Sequence, residues 1–250
     1  MKIYKEYIES ENQRIALRYT GTSKDLILLV HGAASDSRIF YRQLRLLGEN
    51  YTVAALDLPG HGRSKGGETS YESYISAIEK AVQHFEAQSI ILGGHSFGSA
   101  LALAAGSKIN NIKAYILFSP AKNYLNTKNI LQNDDSIEIQ NFFSSRMYSK
   151  ENKLMQSLIK RGNQLIEDQL LLKDLDICFS LNSIYPEKIH EPVFSCACSG
   201  DEIVPAHDSK SFTDEFPNNT YKEYISDGHV PFIDCWEQCN SDIIEFLESI

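Results

Sequence analysis

Five short segments of the chain are almost continuously apolar. They cover residues 26–30, 53–56, 90–92, 115–118 and 193–198. A strand that is apolar on both faces is typical of the interior of a parallel sheet, because helices cover both faces of such a sheet. We therefore expect each of the five segments to form a buried strand.

Three further segments have the pattern of more exposed strands. Residues 3–8 and 15–19 alternate between apolar and polar positions, and the polar break at 9–12 indicates an antiparallel hairpin. Residues 221–225 are more polar, as is typical of an edge strand. Together the pattern predicts about eight strands.

Helical periodicity separates the strands. Residues 69–72, Thr-Ser-Tyr-Glu, fit a capping box, and the residues after them are apolar on one helical face. These apolar residues are Tyr74, Ile75, Ile78, Val82 and Phe85. The last segment, with Trp236, Ile243, Ile244 and Leu247, predicts a terminal amphipathic helix. Alternation of strands and helices favours a doubly wound, mostly parallel sheet.

The segment 123–190 interrupts this alternation. It has no clear buried strand, it is polar and helical in pattern, and its longest candidate helix covers residues 152–175. About 70 residues are too many for one crossover between parallel strands. We expect residues 1–122 and 191–250 to form a core domain, and residues 123–190 to form an inserted helical cap. The alternative is a set of ordinary helices packed on the sheet.

Length and charge limit the class of protein. A chain of 250 residues is long enough for one sizeable α/β domain, and its formal charge of −9 repels phosphate backbones. Nucleic acid is therefore not an expected partner. The charged N-terminus does not resemble a signal peptide, and no segment has the roughly 20 apolar residues that span a bilayer. We expect a cytoplasmic protein without stable membrane association; the oligomeric state stays open.

The cysteines do not predict a disulfide framework. Their number is odd, at five: Cys178, Cys196, Cys198, Cys235 and Cys239. Two close pairs could in principle hold zinc, but C-x-C with C-x-x-x-C is not a usual structural zinc spacing. We expect the cysteines to be buried free thiols, and no metal is predicted.

One pentapeptide has the form of a nucleophile turn. Gly94-His95-Ser96-Phe97-Gly98 follows an apolar strand and precedes a stretch of small, helix-favouring residues. A sharp strand-to-helix turn exposes a serine hydroxyl and directs backbone N–H groups at a reacting carbonyl. The flanking glycines suit the crowding of such a turn. An ordinary glycine-rich loop is the alternative.

A serine nucleophile needs a base and an acid, and both can be sought where strands end. His229 follows the last predicted strand and Asp201 follows the strand at 193–198. Glu202 is the neighbouring alternative to Asp201, and Asp57 also lies at a strand end but in a turn-like sequence. His84, His190 and His207 fit less well, because they lie on a helix, away from a strand end or at a helix start.

Two backbone N–H groups are candidates for an oxyanion hole. His31-Gly32-Ala33-Ala34 follows the buried strand at 26–30, and glycine there would let the backbone approach a ligand closely. We expect the N–H groups of Ala33 and Phe97 to be the donors. A plain strand-ending turn at residues 31–34 is the alternative.

The order Ser96, Asp201, His229 resembles that of the α/β-hydrolase superfamily. The resemblance covers nearly the whole chain and also rests on the 31–32 loop, the segment 57–64 (Asp-Leu-Pro-Gly-His-Gly-Arg-Ser) and the Asp-x-Ile-Val-Pro stretch from Asp201. It implies an α/β-hydrolase fold in which 57–64 is structural and 123–190 forms a helical cap over the pocket. Many members have glycine where Cys198 stands.

The expected activity is that of a serine hydrolase acting on a small-molecule substrate. A small or medium carboxylic ester, or a thioester, would be cleaved through an acyl-enzyme on Ser96, without a cofactor. Candidates for the substrate pocket are apolar residues near the predicted loops and in the cap, although cap aromatics often serve packing alone. They are Phe40, Phe97, Tyr124, Phe142, Phe143, Met147, Val230 and Phe232.

Two other functions remain open at this point. The same triad could cleave or eliminate at a C–C bond of a carboxylated substrate, with help from cationic cap residues, although a solvated helix face explains these residues equally well. The cationic candidates are Arg146, Lys150, Lys153 and Arg161. A non-catalytic binding protein on this fold is the third possibility, but it predicts damage to the serine, acid or histidine.

Overall fold

Eight strands form one sheet in the computed structural model, which describes residues 1–10, 13–122, 124–130, 136–160, 168–181 and 184–250. The strands are β1 (Tyr4–Ser10), β2 (Gln13–Thr20), β3 (Asp25–Val30), β4 (Thr52–Leu56), β5 (Ser89–His95), β6 (Ile112–Phe118), β7 (Val193–Cys198) and β8 (Asn219–Tyr224). Their order in the sheet is β1-β2-β4-β3-β5-β6-β7-β8. The predicted number of strands is confirmed.

Helices connect and cover the strands. In the described part of the chain they are α1 (Tyr41–Leu47), α2 (Tyr71–Phe85), α3 (Phe97–Gly106), α4 (Leu125–Ile130), α5 (Ser136–Arg146), α6 (Lys153–Lys160), α7 (Asp168–Ser180), α8 (Ala206–Thr213), α9 (Pro231–Asp234) and α10 (Trp236–Glu248). Two 3₁₀ turns cover Ser37–Phe40 and Pro186–Lys188.

The sheet is antiparallel at one edge and parallel elsewhere. Strand β1 pairs with β2 in the predicted hairpin, from Tyr4 opposite Tyr19 to Ser10 opposite Gln13, and β2 is antiparallel to β4. All pairs from β4 through β3 to β8 are parallel. The predicted doubly wound, mostly parallel sheet is therefore confirmed.

Alternate residues of each central strand enter two different cores. On β3, Leu26 and Leu28 pack on the face covered by α2 and α3, while Ile27 and Leu29 pack on the face covered by α1 and α10. This arrangement explains why the central strands have continuous apolar sequences, since both sides of these strands are buried.

A crevice at the carboxyl edge of the sheet follows from the strand order. Strands β3 and β5 are neighbours, but the chain leaves β3 toward β4 and leaves β5 toward β6, on opposite sides. In open α/β sheets such a reversal leaves a crevice beyond the strand ends, where ligands bind. The loop at residues 31–34 and the turn at Ser96 therefore face the same crevice.

Helix α2 begins one residue later than the sequence pattern predicts. Ser70, not Thr69, is the N-cap: its hydroxyl accepts a hydrogen bond from the Ser73 N–H at 3.2 Å, and the Ser73 hydroxyl accepts one from the Ser70 N–H at 3.1 Å. The Thr69 hydroxyl instead accepts a hydrogen bond from Lys173 on α7. A tertiary contact has thus replaced the local one, and Ser73 substitutes for Glu72 in the capping box.

The connection from β6 to β7, hereafter the β6–β7 insertion, contains α4, α5, α6 and α7. Its described residues include no strand, as the sequence pattern predicts. The predicted long helix at 152–175 corresponds to α6 and α7, with residues 161–167 outside the described ranges. Helix α7 packs against α3 and α5. Among the described residues, no helix is long and apolar enough to cross a membrane.

Candidate active site

Ser96 occupies the turn between β5 and α3 in an unusual backbone conformation. Its φ and ψ are 52° and −122°, and for a residue with a side chain such a conformation costs on the order of 1–3 kcal/mol. The Ser96 N–H donates to the Phe118 carbonyl on β6 at 2.8 Å, which ties the turn to the neighbouring strand. This strained, anchored turn is the geometry that a nucleophile elbow requires.

Two glycines bring the 31–34 loop against this turn. A Cβ atom at Gly98 would lie 2.3 Å from the Val30 carbonyl oxygen and 2.4 Å from that of His31. A Cβ atom at Gly32 would lie 2.9 Å from Nδ1 of His95 and 3.4 Å from Cβ of Ser96. Because real Cβ contacts are longer than the backbone distances at Gly98, only glycine fits there without a shift of the main chain.

Asp201 and His229 form a buried hydrogen-bonded pair. The Nδ1 atom of His229 lies 2.7 Å from Oδ2 of Asp201, and the two side chains are 1% and 0% exposed. The other carboxylate oxygen of Asp201 accepts hydrogen bonds from the N–H groups of Ile203 and Val204 at 2.9 and 3.0 Å. Since the carboxylate accepts from Nδ1–H, Nε2 carries the free lone pair in the neutral ring.

The main chain of His229 is held on three sides. Its N–H donates to the Met147 carbonyl at 2.9 Å. Its carbonyl oxygen accepts from Nε2 of His95 at 2.9 Å and from the Ser119 hydroxyl at 3.2 Å. These bonds fix the imidazole position without using its Nε2 atom, which is buried and has no hydrogen-bond partner.

Ser96 and His229 border one small cavity. Its volume is about 20 Å³, which is enough for about one water molecule. The described residues around it also include Gly32, Ala33, Ser35, Ile39, His95, Phe143, Met147, Tyr148 and Val230. The hydroxyl of Ser96 and Nε2 of His229 are not hydrogen-bonded here; such bonds are often long in unliganded enzymes and tighten when substrate binds.

The alternative acids and bases are occupied elsewhere. Glu202 accepts from Nε of Arg146 at 2.7 Å, and both carboxylate oxygens of Asp57 accept from backbone N–H groups of Ser37 and Arg63. His84 pairs with Glu6 on the surface. Two further histidines, His190 and His207, are exposed. Of the carboxylates weighed in the sequence, only Asp201 meets His229.

The cationic residues considered for a carboxylated substrate have other partners or positions. Arg146 pairs with Glu202 and Lys150 with Asp227, at 2.7 and 3.7 Å. Lys153 begins α6 and is exposed, and Arg161 lies outside the described residues. None of the three described cations borders the cavity at Ser96.

The candidate oxyanion loop is shaped by His31. Its Nε2 atom accepts from the Leu58 N–H at 3.0 Å, so Nδ1 carries the proton and donates to the Gly32 carbonyl at 2.8 Å. Ala33 borders the cavity, and Phe97 is the first residue of α3, where an N–H has no acceptor within the helix. Burial, followed by the charge of nearby His61, lowers the pKa of His31 to about 4, so this ring is neutral.

We expect this neutral histidine to make stability pH-dependent. The pKa of His31 is about 4 in the folded chain and 6.5 in the unfolded chain, so the unfolded chain binds the proton first as pH falls. Its contribution is complete above pH ~6.5 and decreases toward pH ~4, by up to about 3 kcal/mol. Urea unfolding at pH 7 and pH 4.5 measures this loss.

The variant comparison isolates His31 from other titrating groups. His31→Gln is expected to lose less stability than wild type between the two pH values, whereas His84→Gln, which alters an exposed pair with Glu6, keeps the wild-type loss. Equal pH dependence in wild type and His31→Gln would contradict the prediction.

Asp174 on α7 joins the β6–β7 insertion to the candidate oxyanion loop. One carboxylate oxygen accepts from the Ala34 N–H and from Nε2 of His61, both at 2.8 Å. The other accepts from the Tyr74 hydroxyl at 2.6 Å. Asp174 is 0% exposed, so the insertion contributes a fully buried acceptor to the loop that contains Ala33.

His61 and Asp174 form a charged pair. Burial alone would lower the pKa of His61, but the hydrogen bond and charge of Asp174 outweigh it and raise this pKa. Burial would raise the pKa of Asp174, but the His61 hydrogen bond and charge, with the Tyr74 and Ala34 hydrogen bonds, leave it lowered. Nδ1 of His61 also lies 3.0 Å from the Pro59 carbonyl, so both ring nitrogens act as donors in an imidazolium.

The predicted pocket residues fall into different places. Phe143, Met147 and Val230 border the cavity at Ser96. Phe40 and Phe232 do not border it, because their rings stack on each other in the core below, with centroids 5.0 Å apart.

The other predicted aromatics act nearby without bordering the cavity. Tyr124 is buried, and its hydroxyl donates to the Ser96 carbonyl. The Arg146 guanidinium lies over the Phe142 ring, 4.4 Å from the ring centroid. The Phe97 ring packs edge-on to Tyr74 in the core.

The five cysteines are free thiols. Cys196 on β7 and Cys239 on α10 have their sulfur atoms 3.9 Å apart, and burial raises the pKa of Cys196 well above its usual value. Cys198 is buried at the end of β7, just before the turn that carries Asp201. Among the described residues, no three histidines, cysteines or carboxylates are arranged to hold a metal ion.

Two residues of the site belong to no motif that marks them in the sequence. His95 occupies a variable position of the pentapeptide. Burial, followed by the nearness of the His229 imidazole, lowers the pKa of His95 well below its usual value, so its neutral ring donates to the His229 carbonyl. Asp174 lies 140 residues from Ala34. The aspartate could have been suspected only because it stands among the apolar residues of a helix.

Comparison with known proteins identifies the family. A family model for the alpha/beta hydrolase fold matches residues 25–158, which are more than half of the chain. The chain therefore belongs to the alpha/beta hydrolase fold family, and the resemblance seen in the sequence is confirmed.

Individual relatives are distant. The uncharacterized hydrolase YugF of Bacillus subtilis is 21% identical over 252 residues, covering 92% of each chain. Human monoglyceride lipase is 30% identical over 125 residues, which are 45% of this chain and 41% of that protein. The esterase EaEST of Exiguobacterium antarcticum superposes with a TM-score of 0.82 at 18% identity, over 98% of this chain and 100% of that one. At such identity the likeness is one of fold.

Proposed function

We propose that this protein is a serine hydrolase that cleaves carboxylic esters through an acyl-enzyme on Ser96. The observation that carries the proposal is the buried Asp201–His229 pair. Nε2 of His229 has no hydrogen-bond partner, and His229 borders the same cavity as Ser96. The names of an esterase of the same fold and of a partly similar lipase agree with ester chemistry.

The geometry supports a two-step mechanism. Nε2 of His229 takes the Ser96 proton as the hydroxyl oxygen attacks the ester carbonyl, while Asp201 holds the ring in the correct tautomer and stabilises the imidazolium. The N–H groups of Ala33 and Phe97 stabilise the negative oxygen of the tetrahedral intermediate. His229 then protonates the departing alcohol. Water, deprotonated by His229, attacks the acyl-enzyme and releases the acid and free Ser96.

The β6–β7 insertion acts as a cap in this proposal. Phe143 and Met147 come from it and border the cavity, which at about 20 Å³ is too small for an ester. Substrate entry therefore requires movement of these side chains or of α5. Movements of this kind can limit turnover in hydrolases whose chemistry is fast.

A fluorophosphonate probe tests the nucleophile. We expect stoichiometric labelling of the folded protein, seen by intact mass and located on Ser96 by peptide mapping. Ser96→Ala should not be labelled, and Ser107→Ala, which removes an exposed hydroxyl at the other end of α3, should be labelled normally. No labelling of folded wild type, or retained labelling of Ser96→Ala, would overturn the proposed nucleophile.

Turnover of p-nitrophenyl esters of increasing acyl length tests the substrate class. Ester hydrolysis predicts measurable kcat/KM for at least the short and medium chains, with dependence on Ser96. Labelling of Ser96 without turnover of any ester would favour the C–C bond alternative. Absence of both labelling and turnover would favour a binding protein.

A further inference from the structure

An open groove lies next to the cavity at Ser96. Ser35, Ile39 and Tyr148 border both spaces, so the groove continues outward from the cavity. Its volume is about 660 Å³, within the range of pockets that hold small-molecule ligands. One wall comes from the core, including α1 and Trp236, and the other from Leu154 and Met155 of the β6–β7 insertion.

Most of the groove is apolar, but one wall is cationic. Arg38, Arg42 and Arg45 all border it. Because they are spaced four and three residues apart, they lie on one face of the helical segment 37–47. Arg38 is neutralised by Asp36, with a guanidinium nitrogen 2.6 Å from the carboxylate. Asp36 is the only carboxylate among the described residues that border the groove.

Arg42 and Arg45 have no carboxylate partner among the described residues. Arg42 lies over the Trp236 ring at 4.0 Å, and Arg45 donates to the Tyr41 hydroxyl at 3.1 Å. These aromatic contacts hold both guanidinium groups at the groove wall without neutralising them. The chain as a whole has a formal charge of −9, so this groove wall has the opposite sign to the net charge. The guanidinium group is well suited to carboxylate and phosphate.

We propose that the groove, together with Arg42 and Arg45, binds an anionic group at the far end of the substrate's apolar acyl chain. This inference rests on the proposed ester hydrolysis and names its substrate class: esters whose acyl chain ends in a carboxylate or a phosphate-like group. The chain would lie along Ile39, Tyr148 and Met155, which puts the ester carbonyl at Ser96 and the anion at α1.

The test compares matched esters. Mono-p-nitrophenyl esters of straight-chain dicarboxylic acids are compared with p-nitrophenyl esters of monocarboxylic acids of the same length, and a third series ends in a phosphonate. We expect wild type to prefer an anionic ester of one chain length by roughly 10-fold in kcat/KM, and less at high salt. Whether the carboxylate or phosphonate series gives the larger preference distinguishes the two anions.

Variants locate the preference. R42Q/R45Q is expected to lower the anionic-to-neutral ratio of kcat/KM to about one. R14Q is the matched control: Arg14 also lies over an aromatic ring, 4.2 Å from Tyr7, but it does not border the groove. It should keep the wild-type ratio. The inference would be overturned if wild type hydrolysed anionic and neutral esters with equal kcat/KM, or if R42Q/R45Q kept the preference for anionic esters. In either case, hydrolysis of the neutral esters would still uphold the proposed function.

Calorimetry separates the inference from the proposed function. Straight-chain dicarboxylic acids and their ω-phosphono analogues are titrated into S96A and into S96A/R42Q/R45Q. If these acids bind S96A and bind S96A/R42Q/R45Q about 10-fold more weakly, the anion site is supported even if no ester is hydrolysed. Equal binding to the two proteins, or no binding to either, overturns it.

Discussion

Replacement of Ser96 by alanine is expected to lower kcat for ester hydrolysis by on the order of 10⁶. The reason is that acyl transfer needs an oxygen nucleophile at the β5–α3 turn, and alanine offers none. The Ser96 side chain caps no helix end by hydrogen bonding, so the free energy of unfolding should change little. Steady-state kinetics with the best p-nitrophenyl ester, together with urea unfolding, measures both quantities.

A second variant shows whether Ser96 acts with Asp201. Asp201→Asn keeps the shape of the acid but disfavours the Nδ1–H tautomer, and we expect a loss of about 10⁴ in kcat. Because the residues act as one unit, Ser96→Ala/Asp201→Asn should be no slower than Ser96→Ala alone. A loss of less than about 100-fold in Ser96→Ala would contradict the nucleophile assignment, as would multiplicative losses in the double variant.

Asp174→Ala is expected to destabilise the protein by roughly 3–5 kcal/mol. It leaves the His61 imidazolium, the Ala34 N–H and the Tyr74 hydroxyl without their buried acceptor. Asp214→Ala is the matched control, because Asp214 pairs with Lys210 at 2.6 Å but on the surface, where such a pair contributes at most about 1 kcal/mol. Urea unfolding of the three proteins measures the difference.

The pH dependence of this loss has a definite direction. The raised pKa of His61 contributes stability below pH ~6.5 that is lost as pH rises, and the lowered pKa of Asp174 contributes stability above pH ~3.8 that is lost as pH falls. The cost of Asp174→Ala should therefore be larger at pH 6 than at pH 9. Equal cost at the two pH values, or a cost no larger than that of Asp214→Ala, would contradict the buried ion pair.

Activity should respond to Asp174 beyond its effect on stability. Asp174→Asn keeps the side-chain volume but weakens the acceptor for the Ala34 N–H, next to the candidate oxyanion donor at Ala33. We expect kcat to fall while KM changes little, at a temperature where the variant is fully folded, because the transition state alone carries the negative oxygen.

The strands and the candidate active site could be predicted because both follow local rules. Continuous apolar segments predict buried parallel strands, and the loops after those strands share one sheet edge. Ser96 and Asp201 each follow such a strand, and His229 follows the more polar strand at the edge of the same sheet, so the sequence indicates their proximity. Gly98 belongs to the pentapeptide that marks the turn, but the approach to the Val30 and His31 carbonyls that requires glycine there is a long-range contact.

The contacts that depend on side-chain direction could not be predicted. Phe40 and Phe232 stand near the correct loops, but the sequence does not reveal that their rings turn into the core. Asp174 has only a weak local signal, its place among apolar residues of a helix, and an aspartate on a helix normally faces water. Arg42 and Arg45 likewise have the pattern of a solvated helix face, and only the fold brings Trp236 and the groove beside them.

The Asp174 contacts also limit how this chain can diverge. The core of the molecule contains a buried cation at His61, and the carboxylate that balances it belongs to the β6–β7 insertion. A chimera that exchanges the insertion for one without an aspartate at this point would carry an uncompensated charge into its interior. In evolution and in design, the insertion and the 57–64 turn must therefore change together, although His61 and Asp174 lie 113 residues apart along the chain.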